Sequence, residues 1–431
     1  NPLITLKALF ETIKTMRIIK KKNFMWLIEK YYFLSAKIGD LIYDTYTRND
    51  HNYVNPKLDF KFFLIFFKAT FRTIKLQELT NFYKPKCVFI GTEGYSHNDG
   101  IMCRIAISKK IPVMECSTKY LQLHTEKFIY TGQDYLKFFY KKNKLNLNNK
   151  IIEKNFIAKF KNLKKSEYTD SFALANNNKK KFNKKLFLQN IGFNKSFKKI
   201  ILIAPHAFSD SPHCSGELIF RDYYNHLEET LKFIKEKNLK DVLWIVRSHP
   251  GHFIFDEIKI FNNLIDKFSC NFIVRCPEGN NTKDIIKIFD HVITTRGSIG
   301  IEFAVHGKMP ILGGIAPYSH LGFTKDPKNK KEYFNILKNI KTLKKLSKTK
   351  IIASKKVMYI MDNALNRKLL KRGNFMDTSK VNKKYDKNLD KKKVIINQVD
   401  YILPTIKNLS KYEIYKDNYY LSLKKEILKR L

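Results

Sequence analysis

Short apolar runs, each followed by a polar or glycine-containing loop and a helical pattern, recur along the second half of the chain. Four of these runs have the length and β-branched content of buried parallel strands: residues 199–204, 242–246, 271–274 and 291–293. Residues 223–237 place leucine and isoleucine on one helical face, and shorter helical patterns occupy 283–289 and 299–305. This alternation predicts a doubly wound α/β domain with a parallel sheet.

The first half of the chain has fewer strand patterns. Residues before about 80 alternate apolar and basic positions at helical spacing. Residues 87–91 are a short apolar run that ends in glycine, 99–108 are helical in pattern, and 111–115 are a second apolar run. These three segments predict one β-α-β unit of a Rossmann-like domain.

Composition changes mark the boundaries between the predicted domains. Residues 141–199 are rich in Lys and Asn, which predicts surface helices and a linker. We therefore expect an N-terminal Rossmann-like domain with a helical linker (1–190), a second Rossmann-type domain (191–355) and C-terminal helices (356–431).

The turn between a predicted strand and a predicted helix at Arg296-Gly297-Ser298 indicates an anion site. Such a turn directs backbone N–H groups and the positive end of a helix to one point. Arg296 adds a planar fork that suits a phosphate, and Glu302, one turn into the helix, could accept both hydroxyls of a ribose. The features predict a nucleotide diphosphate site, and the alternative is an ordinary β-α-β turn.

Glu302, Gly307 and the following Met-Pro-Ile-Leu at 309–312 resemble the Glu-Ala-x-x-x-Gly-x-Pro-Val segment of GT-B glycosyltransferases. Residues 313–323, 205–213 and 247–250 are similar to bacterial capsule polysaccharide biosynthesis proteins, which include capsule Kdo transferases. The resemblance to CDP-glycerol glycerophosphotransferases is more distant. The resemblance to the capsule biosynthesis proteins covers residues 199–324 well and the first half only loosely.

The resemblance implies an α/β, GT-B-like fold. Two Rossmann-type domains would face a central cleft, and the C-terminal helices would cross back to the first domain. It also implies that Glu302 binds the ribose of a nucleotide donor on the second domain.

Polar side chains crowd the loop after the strand at 199–204: His206, Ser209, Asp210 and His213 lie within eight residues. At the carboxyl edge of a parallel sheet they would contact donor phosphates, and donating imidazoles would neutralise charge on a leaving diphosphate. The alternative is a loop in which Ser, Asp and Pro only form turns. The spacing of the two histidines and Asp210 fits no zinc motif, and the sequence contains no Asp-x-Asp pair. We therefore expect no metal and no cofactor.

Three further residues are candidates for the cleft. His249 follows the next strand and would point into the cleft, or it caps the strand end. Arg275 would flank the nucleotide base. His97, with Asp99 as its orienting partner, is our candidate general base from the first domain, against the alternative of a surface histidine.

The formal net charge is +43 over 431 residues, with Lys far in excess of Arg. This charge favours anionic partners such as sugar nucleotides, acidic polysaccharide or the anionic inner membrane surface. The lysines are scattered and no nucleic-acid-binding motif occurs, so we expect no nucleic acid partner. Six unpaired cysteines indicate a cytoplasmic protein. The basic charge adds the expectation that it is peripheral on the inner membrane. Residues 60–71 are predicted as a buried helix, with a membrane-surface helix as the alternative.

These features together predict a metal-independent glycosyltransferase. It would move a sugar from a nucleotide-sugar donor to a growing capsular or surface polysaccharide or a lipid-linked glycan. Three alternatives stay open: a CDP-activated transferase of glycerol phosphate or phosphoramidate, an enzyme like the sugar-nucleotide epimerases, and a non-catalytic basic binding protein.

Overall fold

The computed structural model describes residues 2–48, 50–85, 88–91, 94–111, 113–116, 121–124, 140–141, 147–161, 182–194, 196–278 and 282–363. The helices of the first half are α1 (Pro2–Lys22), α2 (Phe24–Lys30), α3 (Gly39–Arg48), α4 (Phe60–Tyr83), α5 (Gly100–Ser108), α6 (Asn149–Lys161) and α7 (Lys184–Asn190). The strands of the first half are β1 (Tyr32–Phe33), β2 (Ala36–Lys37), β3 (Val88–Ile90), β4 (Val113–Cys116) and β5 (Leu121–His124).

The strands of the second half are β6 (Lys199–Ile203), β7 (Val242–Val246), β8 (Ile273–Arg275), β9 (His291–Thr294) and β10 (Met309–Leu312). Its helices are α8 (Tyr223–Glu236), α9 (Gly251–Ile254), α10 (Ile258–Phe268), α11 (Thr282–Ile285), α12 (Ser298–Val305), α13 (Lys330–Lys338) and α14 (Lys348–Asn363). A 3-10 turn, Ile340–Thr342, follows α13.

The five strands of the second half form one parallel sheet in the order β8-β7-β6-β9-β10. The central strand β6 pairs through Ile201 with Trp244 of β7 on one side and with His291 of β9 on the other. The chain moves outward from β6 to β8 and then returns to the other side of β6. This reversal is a topological switch point between the loops after β6 and β9, and open α/β sheets bind their ligands in the crevice at such a point.

Alternate residues of the central strand pack on opposite faces of the sheet. Ile201 and Ile203 belong to the core that includes Leu227 of α8, whereas Ile200 and Leu202 belong to the core on the other face. Apolar side chains on both faces are typical of a parallel sheet covered by helices on each side. The expected α/β class with a doubly wound parallel sheet is confirmed.

The first half contains the predicted β-α-β unit. Val88 of β3 pairs in parallel with Val113 of β4, and α5 lies between them in the chain. The antiparallel strand β5, which the sequence did not predict, extends this sheet. Residues 60–71 begin the longer helix α4, which buries Phe62 and Phe66 and leaves Phe60 73% exposed. Within the described ranges, no helix has the length and apolar character needed to span a membrane.

The helix α14 packs against α6, and Lys355 pairs with Glu153 at 2.7 Å. Most of the polar stretch expected to be a linker, and residues 364–431 of the predicted crossing helices, lie outside the described residues. The boundaries after residues 190 and 355 stay predictions.

Buried polar contacts join α3 of the first half to the start of α8. The Tyr43 hydroxyl donates to Asp222 Oδ2 at 2.5 Å, and both residues are fully buried. Asp222 also accepts from the Asn225 amide and from Arg221 Nε, so its carboxylate caps α8 as well. Arg221 in turn donates to the Tyr53 carbonyl at 2.8 Å. Asp222 is therefore one buried carboxylate that the two halves share.

Replacing the Tyr43 hydroxyl tests this junction. Tyr43→Phe removes one donor from a buried carboxylate and should lower the free energy of unfolding by about 1–3 kcal/mol in urea denaturation. Tyr32→Phe is the control, because Tyr32 is 59% exposed and its loss should have little effect. Equal effects of the two substitutions would contradict the role assigned to the hydroxyl.

Candidate functional site

The loops after β6 and β9 meet at the switch point, and their side chains form the centre of the candidate site. The loop after β6 begins with Pro205 and His206, and the loop after β9 runs through Thr295 and Arg296 to Gly297. A Cβ atom on Gly297 would lie 3.5 Å from His206 Nε2. The sequence placed both loops at this edge, and the strand order brings them side by side.

Arg296 is a buried cation with incomplete hydrogen bonding. Its side chain is only 6% exposed, and Nη2 donates to the Gly216 carbonyl at 2.9 Å. Its Nε and Nη1 atoms are buried and have no hydrogen-bond partner in the described part of the chain. The guanidinium also lies 5.9 Å from the Tyr223 ring. A buried guanidinium with two unused donors is suited to a planar anion such as a phosphate.

His206 presents a second unused polar atom to the same place. Its Nε2 atom is buried and has no partner among the described residues. The ring stacks on Tyr223 at 4.6 Å and on His249 at 5.6 Å. Burial, followed by the nearby His249 and Arg296, holds the pKa of His206 well below its ordinary value of 6.5. A neutral imidazole here can donate a hydrogen bond to an anion, or take up a proton when an anion arrives.

The helix α12 starts at Ser298, two residues after Arg296. Its N-cap, Gly297, supplies no side-chain cap, Ser298 is exposed, and Glu302 is half-buried one turn along. The Tyr318 hydroxyl donates to the Gly297 carbonyl, and Gly300 has to lack a side chain because a Cβ would lie 2.2 Å from that hydroxyl. Tyr318 thus fixes the turn and leaves the positive helix end facing the crevice.

A buried histidine that the sequence analysis missed holds the loop after β9. His226 Nδ1 lies 2.8 Å from Thr295 Oγ1, and Nε2 lies 2.9 Å from the Tyr333 hydroxyl. Burial lowers the pKa of His226 to about 3, so the ring is neutral. Gly313 makes room for it, because a Cβ there would lie 2.5 Å from Nε2. His226 lies in an amphipathic helix without a local motif, and only its partners show its role.

The loop after β7 brings His249 to the His206 ring. His249 Nδ1 accepts from the Gly251 amide at 3.0 Å, and burial lowers its pKa to about 4, so the neutral ring carries its proton on Nε2. Nearby Arg247 donates to Thr282 Oγ1 at 2.8 Å. Burial lowers the pKa of Arg247, and the carboxylate of Glu302 opposes that shift. Glu302 and the loop after β7 therefore share one edge of the sheet.

A buried carboxylate from the loop after α9 binds the backbone of the loop after β6. Glu257 accepts from the Phe208 and Ser209 amides at 2.8 and 2.9 Å, and His252 Nε2 lies 3.0 Å from the His206 carbonyl. Burial lowers the pKa of His252 to about 3. These contacts fix the backbone of the loop and with it the direction of the His206 ring.

Side chains of the first half hold the same loop from the other side. The Ser209 carbonyl accepts from the Tyr95 hydroxyl at 2.9 Å and from Arg48 Nη1 at 3.3 Å. Tyr95 also accepts from the Ser211 amide at 3.2 Å. Ser209 is buried by these contacts, whereas Asp210 is exposed. Of the two, only Asp210 has its side chain at the surface where a substrate could reach it.

His213 differs from the role predicted for it. Its Nδ1 lies 2.6 Å from Asp44 Oδ1, its Nε2 lies 2.9 Å from the Arg221 carbonyl, and its amide donates to Asp44 Oδ2. Burial alone would lower the pKa of His213, but Asp44 outweighs this effect and leaves the pKa raised. Both ring nitrogens face acceptors, so His213 is a buried imidazolium that braces the two halves. It has no nitrogen left for a donor phosphate.

His97 lies at the junction of the two halves. It is exposed, its ring stacks on Tyr95 at 5.2 Å, and its carbonyl accepts from Arg72 at 2.6 Å. Partial burial, followed by Arg72 and Arg48, lowers its pKa, which favours the neutral form that a base requires. The expected partner Asp99 instead accepts from the Gly91 amide at 3.0 Å.

Arg275 does not join the cluster. It is exposed at the end of the edge strand β8, where it pairs with Asp266 and donates to the Asn262 carbonyl at 3.4 Å. Its guanidinium is thus directed to α10 and away from the loops after β6 and β9, and its contact with a nucleotide base stays a prediction. The described residues contain no group of three or more His, Cys, Asp or Glu side chains that could hold a metal ion.

No protein-family model matches the chain, and no curated protein matches it. Solved structures give several similarities. The β-Kdo 2,4 transferase of Thermosulfurimonas dismutans KpsC is 15% identical with a TM-score of 0.25, over 39% of this chain and 51% of that one. The β-Kdo 2,7 transferase of the same protein is 21% identical with a TM-score of 0.23, over 45% and 59%. The chain thus spans little more than half of either transferase.

A UDP-GlcNAc 2-epimerase from Neisseria meningitidis, bound to UDP-GlcNAc, is 12% identical with a TM-score of 0.30, over 68% of this chain and 80% of that one. Because all these TM-scores are 0.30 or below, the functional assignment depends on the residues of the chain itself.

The His213–Asp44 pair predicts a specific pH dependence. A histidine whose pKa is raised on folding stabilises the fold fully below its unfolded pKa, near 6.5, and loses that contribution as pH rises through the folded value. The free energy of unfolding should therefore differ most between the native chain and His213→Gln just below pH 6.5, and less under alkaline conditions. Burial also raises the pKa of Asp44, so the difference should shrink again at acid pH, where this carboxylate takes up a proton. Urea denaturation across pH measures this difference, and a difference that grows from pH 6.5 into the alkaline range would contradict the imidazolium.

Proposed function

We propose that this chain transfers a sugar from a nucleotide-activated donor to a growing bacterial surface polysaccharide. One observation carries the proposal: Nε and Nη1 of buried Arg296 and Nε2 of His206 have no partners among the described residues, and they meet at the switch point of a parallel sheet. A built, desolvated cluster of donors at this edge fits the diphosphate of a nucleotide donor.

Each residue near the crevice has a distinct proposed role. Arg296 and the backbone at Ser298 hold the diphosphate, and Glu302 accepts the ribose hydroxyls. Gly297 lets the diphosphate approach because it has no side chain, while its own amide donates to Thr294 Oγ1. His206 donates from Nε2 to the oxygen on which charge develops as the bond to the sugar breaks. His249 stacks against His206 and keeps its ring in place.

The acceptor is expected on the side of the first half. Asp210 is exposed beside the residues that this half contributes, and His97 stacks on Tyr95 at the same junction. We propose that His97 or Asp210 takes the proton of the acceptor hydroxyl as it attacks, since both are within the surface that an acceptor would cover. His213 and Ser209 position the loop through their buried contacts.

The class of reaction is tested by its products. The full chain is incubated with UDP-, GDP- and CMP-sugars or CDP-glycerol, with oligosaccharide acceptors, with and without EDTA. A glycosyltransferase acting without a metal releases nucleotide in an acceptor-dependent and EDTA-resistant manner. If the chain transfers only from CDP-glycerol and releases CMP, the transferred group is glycerol phosphate and the proposal of sugar transfer is contradicted. Acceptor-independent conversion of the sugar would contradict transfer altogether.

Arg296→Met should separate binding from stability. The substitution removes a buried cation with two unused donors, so the free energy of unfolding should stay equal or rise by about 1–3 kcal/mol, while nucleotide binding weakens on the order of tenfold or more. Arg221→Met is the matched control, because Arg221 pairs with Asp222 and Tyr53 and its loss should destabilise the fold. Calorimetry and denaturation measure both effects. A destabilised Arg296→Met variant with native nucleotide affinity would contradict the anion site.

Glu302→Ala tests the ribose contact. If the carboxylate accepts both ribose hydroxyls, the native chain should bind UDP or CDP more tightly than the 2′-deoxy form of the same nucleotide. The variant should bind the two forms equally, and the native preference should amount to about 1.5–3 kcal/mol. Isothermal calorimetry measures the four affinities, and an unchanged preference in Glu302→Ala would show that another group reads the ribose.

A further inference from the structure

The N-terminal helix α1 has an apolar face that the described chain does not cover. Its buried side faces the core of the first half and is formed by Ile4, Ala8, Thr12, Thr15 and Ile19. Four other apolar residues are exposed at the spacing of a single helix face: Leu3 (75%) in the first turn, then Leu6 (60%), Phe10 (70%) and Ile13 (41%).

The exposed apolar residues lie opposite the core. Leu6, Phe10 and Ile13 are each two positions from a buried residue, which is about 200° around an α-helix. A helix that is apolar on two opposite faces has more apolar surface than its own fold buries. The outward face therefore has the composition of a docking surface rather than that of a solvated helix side.

Basic residues extend this face towards the C-terminal end of α1. Arg17 follows Ile13 at the four-residue spacing of the same side, and Lys20 and Lys21 extend it to the end of the helix. All three cations are exposed. The helix thus presents an apolar first half and a cationic second half in one line.

The one acidic residue of α1 is directed away from the outward face. Glu11 accepts from Thr15 Oγ1 at 3.1 Å and from the Tyr31 hydroxyl at 3.2 Å, next to the core. The outward face consequently carries no negative charge. A second copy of the same face would bring like charges together, and a polysaccharide would offer nothing apolar to Leu6 and Phe10. An anionic lipid surface offers both an apolar layer and phosphates.

We propose that the outward face of α1 docks the protein on an anionic lipid surface. Leu6, Phe10 and Ile13 enter the boundary between headgroups and acyl chains, and Arg17, Lys20 and Lys21 contact lipid phosphates. Binding of this kind depends both on the apolar residues and on the fraction of anionic lipid. It does not depend on the nucleotide site, which lies in the other half of the chain.

Vesicle sedimentation with the full chain tests the proposal, using phosphatidylcholine vesicles with and without phosphatidylglycerol. The native chain should bind only the anionic vesicles. The double variant Leu6→Ser/Phe10→Ser should lower the partition coefficient between vesicle and water by about tenfold or more, since it removes two apolar side chains that the membrane would bury. The control Ile151→Ser/Ile352→Ser removes two apolar residues that are 54% and 44% exposed on other helices, and it should bind as the native chain does.

Removing the charges gives an independent measurement. Arg17→Gln, Lys20→Gln and Lys21→Gln should each weaken binding to the anionic vesicles by about fivefold. Circular dichroism verifies that every variant is folded. Equal binding of the two serine double variants, or equal binding to neutral and anionic vesicles, would overturn the proposal. A different result would also overturn it: the native chain is a dimer in light scattering, Leu6→Ser/Phe10→Ser dissociates this dimer, and neither the native chain nor any variant binds vesicles.

Discussion

The incomplete hydrogen bonding of Arg296 is the constraint around which the second half of the chain is arranged. A guanidinium that is 6% exposed has lost most of its water, and within the described ranges only one of its nitrogens has a hydrogen-bond partner. Such a group costs free energy in the unliganded protein, and this cost is offset when an anion supplies the missing acceptors. The surroundings hold the guanidinium in this state through His226, which fixes Thr295, and Tyr318, which fixes Gly297.

The two halves of the chain contribute unequally to the site. The second half supplies the anion cluster, because its strand order places the loops after β6 and β9 side by side. The first half supplies the supports of the loop after β6: Asp44 holds His213, and Arg48 and Tyr95 hold the Ser209 carbonyl. A movement of the first half would therefore shift the backbone that carries His206. If the proposed function holds, this link gives a physical route by which an acceptor bound at the first half would affect a donor bound at the second.

Local patterns sufficed to predict the strands of the second half and the position of Arg296, because each depends on residues adjacent in sequence. The roles of His213 and Arg275 could not be predicted, since their partners Asp44 and Asp266 are chosen by the tertiary fold. His213 lies in the same loop as His206, yet the His213 ring faces a carboxylate 169 positions away, whereas His206 Nε2 has no hydrogen-bond partner among the residues that the structure describes. The role of His226 could not be predicted either, because its partners Thr295 and Tyr333 are distant in sequence.

The central claim is that Arg296 and His206 together receive an anion, and nitrogen NMR of the labelled full chain tests it most directly. Titration with a nucleoside diphosphate should shift the Nε resonance of Arg296, and the His206 imidazole, neutral in the free protein, should take up a proton as the phosphate arrives. The resonances of Arg221 and His226, whose hydrogen bonds are complete, should stay unchanged. Binding of the nucleotide with no change at Arg296 and His206 would contradict the account.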